Sequence, residues 1–163
     1  MKRRARGASL AEIEAIYRKR VASLRRTAGA IVGDREASFD IVQDAFASAV
    51  TSRASFRGDS SIETWVARMV TNAAYSYVRR APRVDLLQVV ERANSESAST
   101  VDRVREAVSQ LPERQRLVLF LRYYGDLDYD AIAEIVGVSS GTVGATLSAA
   151  RRSLRSQLEE VLT

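Results

Sequence analysis

From Asp130 to Leu147 the chain reads Asp-Ala-Ile-Ala-Glu-Ile-Val-Gly-Val-Ser-Ser-Gly-Thr-Val-Gly-Ala-Thr-Leu, and three of these positions carry a chemistry of shape. Ala133, Gly137 and Val143 fall at the spacing of a helix-turn-helix. A small residue on the first helix admits the second at close range, a glycine supplies the permissive backbone of the turn, and a β-branched residue plugs the corner. Ile132, Val136, Val138 and Leu147 would complete a miniature core. A helix beginning near Ser140 is then shaped for a DNA major groove, with Arg151, Arg152 and Arg155 placed to meet phosphates further along it. The same spacing also fits a plain helical hairpin, and cations near a helix C-terminus offset its dipole whether or not they touch DNA.

A second group of residues suits a different form of nucleic acid. Asn72, Tyr75, Tyr77, Arg79 and Arg80 interleave aromatic, amide and cationic side chains, a mixture on which unstacked single-stranded bases can lie. The spacing of Trp65 with Met69 and Ala73 places that tryptophan in the core, and Tyr77 shares the apolar series. Tyr75, Arg79 and Arg80 are the better surface residues. Asp40, Gln43 and Asp44 share one helical face at offsets of three and four, opposite Val42 and Phe46. An acidic polar face has no use against phosphate and reads as a protein interface or as plain solvated surface.

Nothing else in the chain resembles a reaction centre. The sequence has no histidine and no cysteine, which removes the usual general base near neutral pH, thiolate metal sites and any disulfide framework. Asp126, Asp128 and Asp130 alternate through a turn, but the glycine and terminal glutamate of a calcium loop do not follow, and Asp128 is better placed as a helix cap. There is neither a P-loop nor a Gly-x-Ser-x-Gly elbow. The chain is therefore expected to need no catalytic residue, cofactor or metal, and not to be an enzyme.

These groups must be positioned by helices. Leu10, Ile13, Tyr17, Leu24, Ala28 and Ile31 trace one helical face, closed by Gly33-Asp34. A second helix runs from about Glu36 to Thr51, with Val42, Ala45, Phe46 and Ala49 inward. After a polar connection over residues 53–59, Ser60 and Glu63 have the spacing of a capping box. The helix that follows carries Ile62, Trp65, Val66, Met69, Val70, Ala73 and Tyr77. Pro82 breaks the pattern, and the serine-rich stretch that ends near Thr100 reads as a linker, with room for a short helix around residues 86–92. A second module opens with Val101, Val104 and Val108. Leu111-Pro112-Glu113 starts a further helix, and the last one continues on Val143, Leu147, Ala150, Leu154 and Leu158. The expectation is an all-α protein of two small helical domains, 8–81 and 101–160, joined by a flexible linker over 82–100, with the helix-turn-helix in the second.

The net charge of +5 suggests a polyanionic partner. It is unevenly spread. Residues 1–80 carry 15 Lys and Arg against 8 Asp and Glu, residues 81–110 carry 4 against 5, and residues 111–163 carry 6 against 7. The positive charge thus lies away from the helix-turn-helix. No apolar run is long enough for a transmembrane helix, and the basic start lacks the apolar segment of a secretory signal, so a cytoplasmic protein is expected.

Taken in order, the segments resemble those of a group IV, extracytoplasmic-function sigma factor of bacterial RNA polymerase. Asp40-Ile-Val-Gln-Asp-Ala-Phe46 resembles the helix that binds core polymerase. Residues 56–72, with Arg79-Arg80, resemble the promoter-melting segment. Leu111-Pro-Glu-Arg-Gln-Arg116 and residues 130–155 resemble the C-terminal DNA-binding domain. The resemblance implies that Asp40, Gln43, Asp44 and Phe46 meet the largest subunit of core polymerase. It assigns Phe56, Arg57, Asp59, Ser60, Asn72, Tyr75, Arg79 and Arg80 to an extruded base and single strand of the minus-ten element. Ser139, Ser140, Thr142, Thr146, Arg151 and Arg152 are assigned to the minus-thirty-five element of promoter DNA. An anti-sigma protein is a further partner it admits. A stand-alone helix-turn-helix regulator, or a sigma-like adaptor that binds polymerase but reads promoters poorly, are the alternatives. Where the family usually has an aspartate four residues after the asparagine, this chain has Ser76. Gly144, Thr146 and Ala149 stand where long polar side chains are usual on the recognition helix. A bidentate arginine contact is worth roughly 1–3 kcal/mol of base discrimination, so discrimination is expected to rest more on the first module.

Overall fold

The computed structural model describes residues 7–80 and 100–162, and all of its regular elements are helical. They are α1 (Leu10–Val32), α2 (Arg35–Ser52), α3 (Ile62–Arg80), α4 (Thr100–Ser109), α5 (Glu113–Tyr123), α6 (Tyr129–Val136) and α7 (Ser140–Leu162), with a 3-10 turn at Arg53–Ser55. The short helix considered around residues 86–92 lies outside the described residues.

Local sequence sets each boundary. Ser9 and Glu12 form a reciprocal capping box at the start of α1. Gly33 ends that helix in the left-handed region (φ 72°), its N–H bonding to the Gly29 carbonyl at 2.8 Å. Asp34 restarts the chain at once, accepting from the N–H groups of Glu36 and Ala37. The cap of α3 is displaced by one residue from the expected capping box: Ser61, not Ser60, accepts from the N–H of Thr64 at 3.0 Å. Asp128 caps α6 as expected, through the N–H of Ala131.

The core of the first module is built from small side chains, with Ala28, Ala49, Val66, Val70 and Ala74 fully enclosed. Buried Thr27 and Thr71 satisfy their hydroxyls on the carbonyls of Ser23 and Ala67. The buried face of α3 is rotated by about one residue from the apolar series of the sequence. It runs through Thr64, Val66, Ala67, Val70, Thr71 and Ala74, whereas Trp65, Met69 and Ala73 are half-buried and Tyr77 is exposed. The reason is steric: Ala and Thr let α3 approach α1 and α2 closely, and the large residues flank that contact. Leu10 and Tyr17 on α1, and Val101 and Val104 on α4, likewise face outward despite their periodicity.

The two modules share one continuous apolar cluster, in which Val118, Leu121, Leu127 and Ile132 join the buried residues of α1 to α3. α3 packs against α6, and α1 against α5. Where α5 ends, Gly125 leaves no room for a side chain, since a Cβ there would stand 2.6 Å from the Leu121 carbonyl oxygen. Gly125→Ala is accordingly expected to lower stability by about 1–3 kcal/mol through overpacking, read as a fall in the urea midpoint at constant slope. An unchanged midpoint would show that the turn relaxes freely.

Candidate nucleic-acid interface

The helix-turn-helix forms as its spacing implies. Gly137 adopts φ 75° and both it and Val138 donate to the Ala133 carbonyl, closing the turn. Val143, Ile132 and Leu147 are fully enclosed, and Ala133 is buried; Val136 and Val138 are half-buried. The axes of α6 and α7 meet at 96°, within the range of a DNA-binding helix pair.

The side chains at the start of α7 are engaged with one another. Ser139 accepts from the N–H of Thr142 at 3.1 Å and shares a hydroxyl contact with its Oγ1 at 2.8 Å. Ser140 donates to the carboxylate of Asp130, and Thr146 to the Thr142 carbonyl. These hydroxyls hold the helix start in place and present short groups outward. Gly144 opens the surface further: the ring of Tyr129 lies beside it, so close that a Cβ would touch Tyr129 Cε2 at 3.5 Å. Arg151 and Arg152 are both exposed, and Arg151 donates from Nε to the Tyr123 hydroxyl at 3.0 Å. Tyr123 and Tyr129, both exposed, extend this surface from α5 and α6 and were not among the residues picked out from the sequence. Tyr129 fills the space left by Gly144, and Tyr123 is tied to α7 through Arg151.

In the first module α2 buries Ala37, Ile41, Val42, Ala45, Phe46 and Ala49, which leaves Asp40, Gln43 and Asp44 exposed together on the opposite face. Phe46 is buried, edge-on to Tyr17 with ring centroids 4.9 Å apart, so it supports that face from beneath and cannot be part of its surface. Phe39 extends the face instead. It is exposed, with the guanidinium of Arg25 over its ring.

The connection into α3 is held from both sides. The N–H groups of Gly7 and Ala8 bond to the carbonyls of Phe56 and Arg53 at 3.1 and 2.8 Å. Phe56 is buried against Trp65 and is a support of this loop, not a presented residue. Arg57 and Asp59 are exposed and Ser60 is half-buried. On α3, Asn72, Arg79 and Arg80 are exposed. Tyr75 is half-buried, and close enough to the second module for Glu113 and Arg116 to act on its phenol. Burial and the carboxylate of Glu113 push its phenol up to about 12, against a smaller opposing effect of Arg116.

The alternating aspartates hold no ion-binding geometry: Asp128 caps α6, Asp130 accepts from Ser140, and Asp126 lies 3.7 Å from Arg20. Among the described residues no group of His, Cys, Asp or Glu could hold a metal. No single helix among them is long and apolar enough to cross a membrane.

Residues 16–84 match the family Sigma-70 region 2, and residues 102–154 match Sigma-70, region 4. The chain belongs to the sigma-70 family of RNA polymerase sigma factors, in its extracytoplasmic-function group. It is 26% identical over 138 residues to the RNA polymerase sigma factor SigV of Bacillus subtilis, covering 82% of each chain. It is 29% identical over 143 residues to the ECF RNA polymerase sigma-E factor of Escherichia coli, covering 76% of this chain and 74% of that one. Among solved structures its fold is similar to the sigma factor RpoE of Bartonella quintana, determined in complex with the anti-sigma factor NepR. That likeness has a TM-score of 0.69 at 22% identity, over 90% of this chain and 96% of that one. CnrH, solved in complex with the cytosolic domain of CnrY, gives 0.70 at 19%, over 91% and 88%. As a sigma factor the chain binds core RNA polymerase and directs promoter recognition, melting and initiation. The stand-alone regulator gives no account of a region 2 match.

The covering of Tyr75 is measurable. Its phenol ionises later in the folded chain than its ordinary value near 10. Its contribution to stability is therefore intact below that value and lost as pH rises toward about 12. The ultraviolet difference titration between the native chain and Tyr75→Phe should have its midpoint near 12. A midpoint near 10 would mean that the ring is solvated.

Proposed function

We propose that the sigma activity is divided between the modules as follows. The exposed face of Asp40, Gln43 and Asp44 on α2 is the docking surface for the largest subunit of core polymerase, with Phe46 as its internal support. Arg57, Asp59 and Ser60, with Asn72, Tyr75, Arg79 and Arg80 of α3, bind the opened minus-ten element, over the base formed by Phe56. Ser139, Ser140, Thr142, Thr146, Arg151 and Arg152 face the minus-thirty-five element. The domains are 8–81 and 101–160, with 82–100 between them. The chain catalyses nothing itself, works in the cytoplasm, and is held in check by an anti-sigma protein, as the complexes of RpoE with NepR and of CnrH with CnrY suggest by analogy.

One observation carries this assignment: α2 turns three polar side chains, two of them acidic, outward together on a module that is otherwise strongly basic. Such a face repels phosphate and suits a basic protein surface. On α7 the short hydroxyl side chains and Gly144 fit docking and positioning better than base reading, and the minus-ten element is left to supply most discrimination.

Two measurements test it. Asp40→Lys with Asp44→Lys should weaken core binding at least ten-fold, equivalent to about 1.4 kcal/mol, with unchanged helicity by circular dichroism. Unaltered affinity in a pull-down would sink the α2 assignment. In initiation assays on promoter libraries randomised at one element at a time, the minus-ten library should hold most of the sequence information. Dominance of the upstream element would overturn the division proposed here.

A further inference from the structure

The acidic face of α2 is bordered by apolar surface that the assignment above leaves unused. Phe39, Gln43, Ala47 and Val50 follow one another on a single stripe of α2, beside α1. Phe39 is 47% exposed, with the guanidinium of Arg25 over one side of its ring, and Ala47 is exposed as well. At the other end of the stripe, Ala47 and Val50 close a groove of about 360 Å³ with Leu10, Ile13 and Tyr17 of α1. Leu10 and Tyr17 are themselves 54% and 39% exposed. The seam between α1 and α2 thus offers an aromatic ring at one end and an apolar groove at the other. Asp40 and Asp44, each next in sequence to a residue of the stripe, run alongside it.

Both ends are held in place before any partner arrives. Tyr17 stands edge-on to buried Phe46, with ring centroids 4.9 Å apart. Arg25 Nη2 is enclosed and has no hydrogen-bond partner among the described residues, so the Phe39 ring is what it faces. A cation over a ring is attracted more strongly once water is excluded, so covering Phe39 tightens this pair as well as burying the ring. From Phe39 to Val50 the seam is about 16 Å long at about 1.5 Å per residue, or about three helical turns. We infer that this seam is the apolar anchor of core polymerase docking: a helix of the largest subunit lies along it, with one apolar side chain against Phe39 and another, about three turns away on the same face, in the groove between Leu10, Tyr17 and Val50. Basic side chains flanking that helix meet Asp40 and Asp44. The inference rests on the proposed assignment of α2 to core polymerase and divides the labour within it. Charges at the edge steer association, whereas buried apolar anchors slow dissociation.

Real-time binding of the full chain to immobilised core polymerase separates the two parts. Phe39→Ala and Leu10→Ala, both at exposed positions, should each raise the dissociation rate at least about five-fold, with an association rate changed by less than about two-fold at low and high salt alike. Ala47→Asp sets a carboxylate in the groove from an exposed position and should raise dissociation at least about ten-fold. Asp40→Lys with Asp44→Lys should instead slow association, most strongly at low salt. Helicity by circular dichroism should be unchanged in every variant. If Phe39→Ala leaves dissociation unaltered, or both groove variants do, the seam is not the anchor. Charge reversal that weakens binding while the apolar variants change nothing overturns the seam and leaves the acidic assignment standing. Faster dissociation of the apolar variants beside unaffected binding of the charge-reversed chain overturns the acidic assignment and leaves the seam standing.

Discussion

The guanidinium of Arg20 is the point on which the arrangement turns. Taking such a charge out of water costs several kcal/mol, and only close partners offset it. Here those partners come from two directions: the Glu63 carboxylate on α3 and the carbonyls at the end of α5, where the helix dipole is negative. The turn that offers those carbonyls is itself constrained. Gly125 has no space for a Cβ, and Asp126 is the non-glycine residue with positive φ, at 50°, among the described residues. Removing the Glu63 carboxylate would leave the guanidinium two carbonyls and the more distant Asp126 carboxylate, a loss that for a buried pair can reach about 3–5 kcal/mol. The geometry of α1, α3 and the α5 turn is therefore mutually determined.

It follows that α3 serves three neighbours along its length. Its alanines and threonines sink against α1 and α2, Arg68 and Tyr75 meet the second module, and Arg79 and Arg80 at its end are left to solvent. A helix committed on two sides keeps its third side in fixed orientation. Placing the minus-ten residues of α3 other than Tyr75 on that third side, as proposed, gives them the preorganisation that an extruded base requires, because the cost of extruding it must be offset by contacts already in place. Phe56 and Phe46 belong to the same logic. Both are buried, and each stiffens the surface next to it.

Much of this was legible in the residues. The helix-turn-helix announced itself because its three key positions answer to backbone geometry that few residues satisfy, and the fold class followed from periodicity. What periodicity could not supply was the direction of each face. Tyr77 and Tyr17 stand on apolar series and yet face out, since the contact surface of α3 was chosen by the size of Ala67, Thr71 and Ala74 and not by hydrophobicity. Phe46 and Phe56 were assigned to a surface because their neighbours belong there, although an aromatic at that spacing is the natural filler beneath it. Arg20 was missed altogether. Its position was nevertheless marked: the series Leu10, Ile13, Tyr17, Leu24, Ala28 and Ile31 lacks a member between Tyr17 and Leu24, and an arginine occupies the gap. A charge in a buried series implies a partner distant in sequence, which one helix cannot reveal.

The short side chains of α7 then acquire a reason within the whole. A recognition helix with half-buried Gly144 and Thr146 where long polar side chains are usual would hold DNA weakly by itself, since those positions lack the forked donors that read a base pair. Two weak sites joined by a tether act together through effective concentration, which is greatest when the tether matches the distance to be spanned. With short side chains on α7, the proposed division leaves base reading to the first module and positioning to the second.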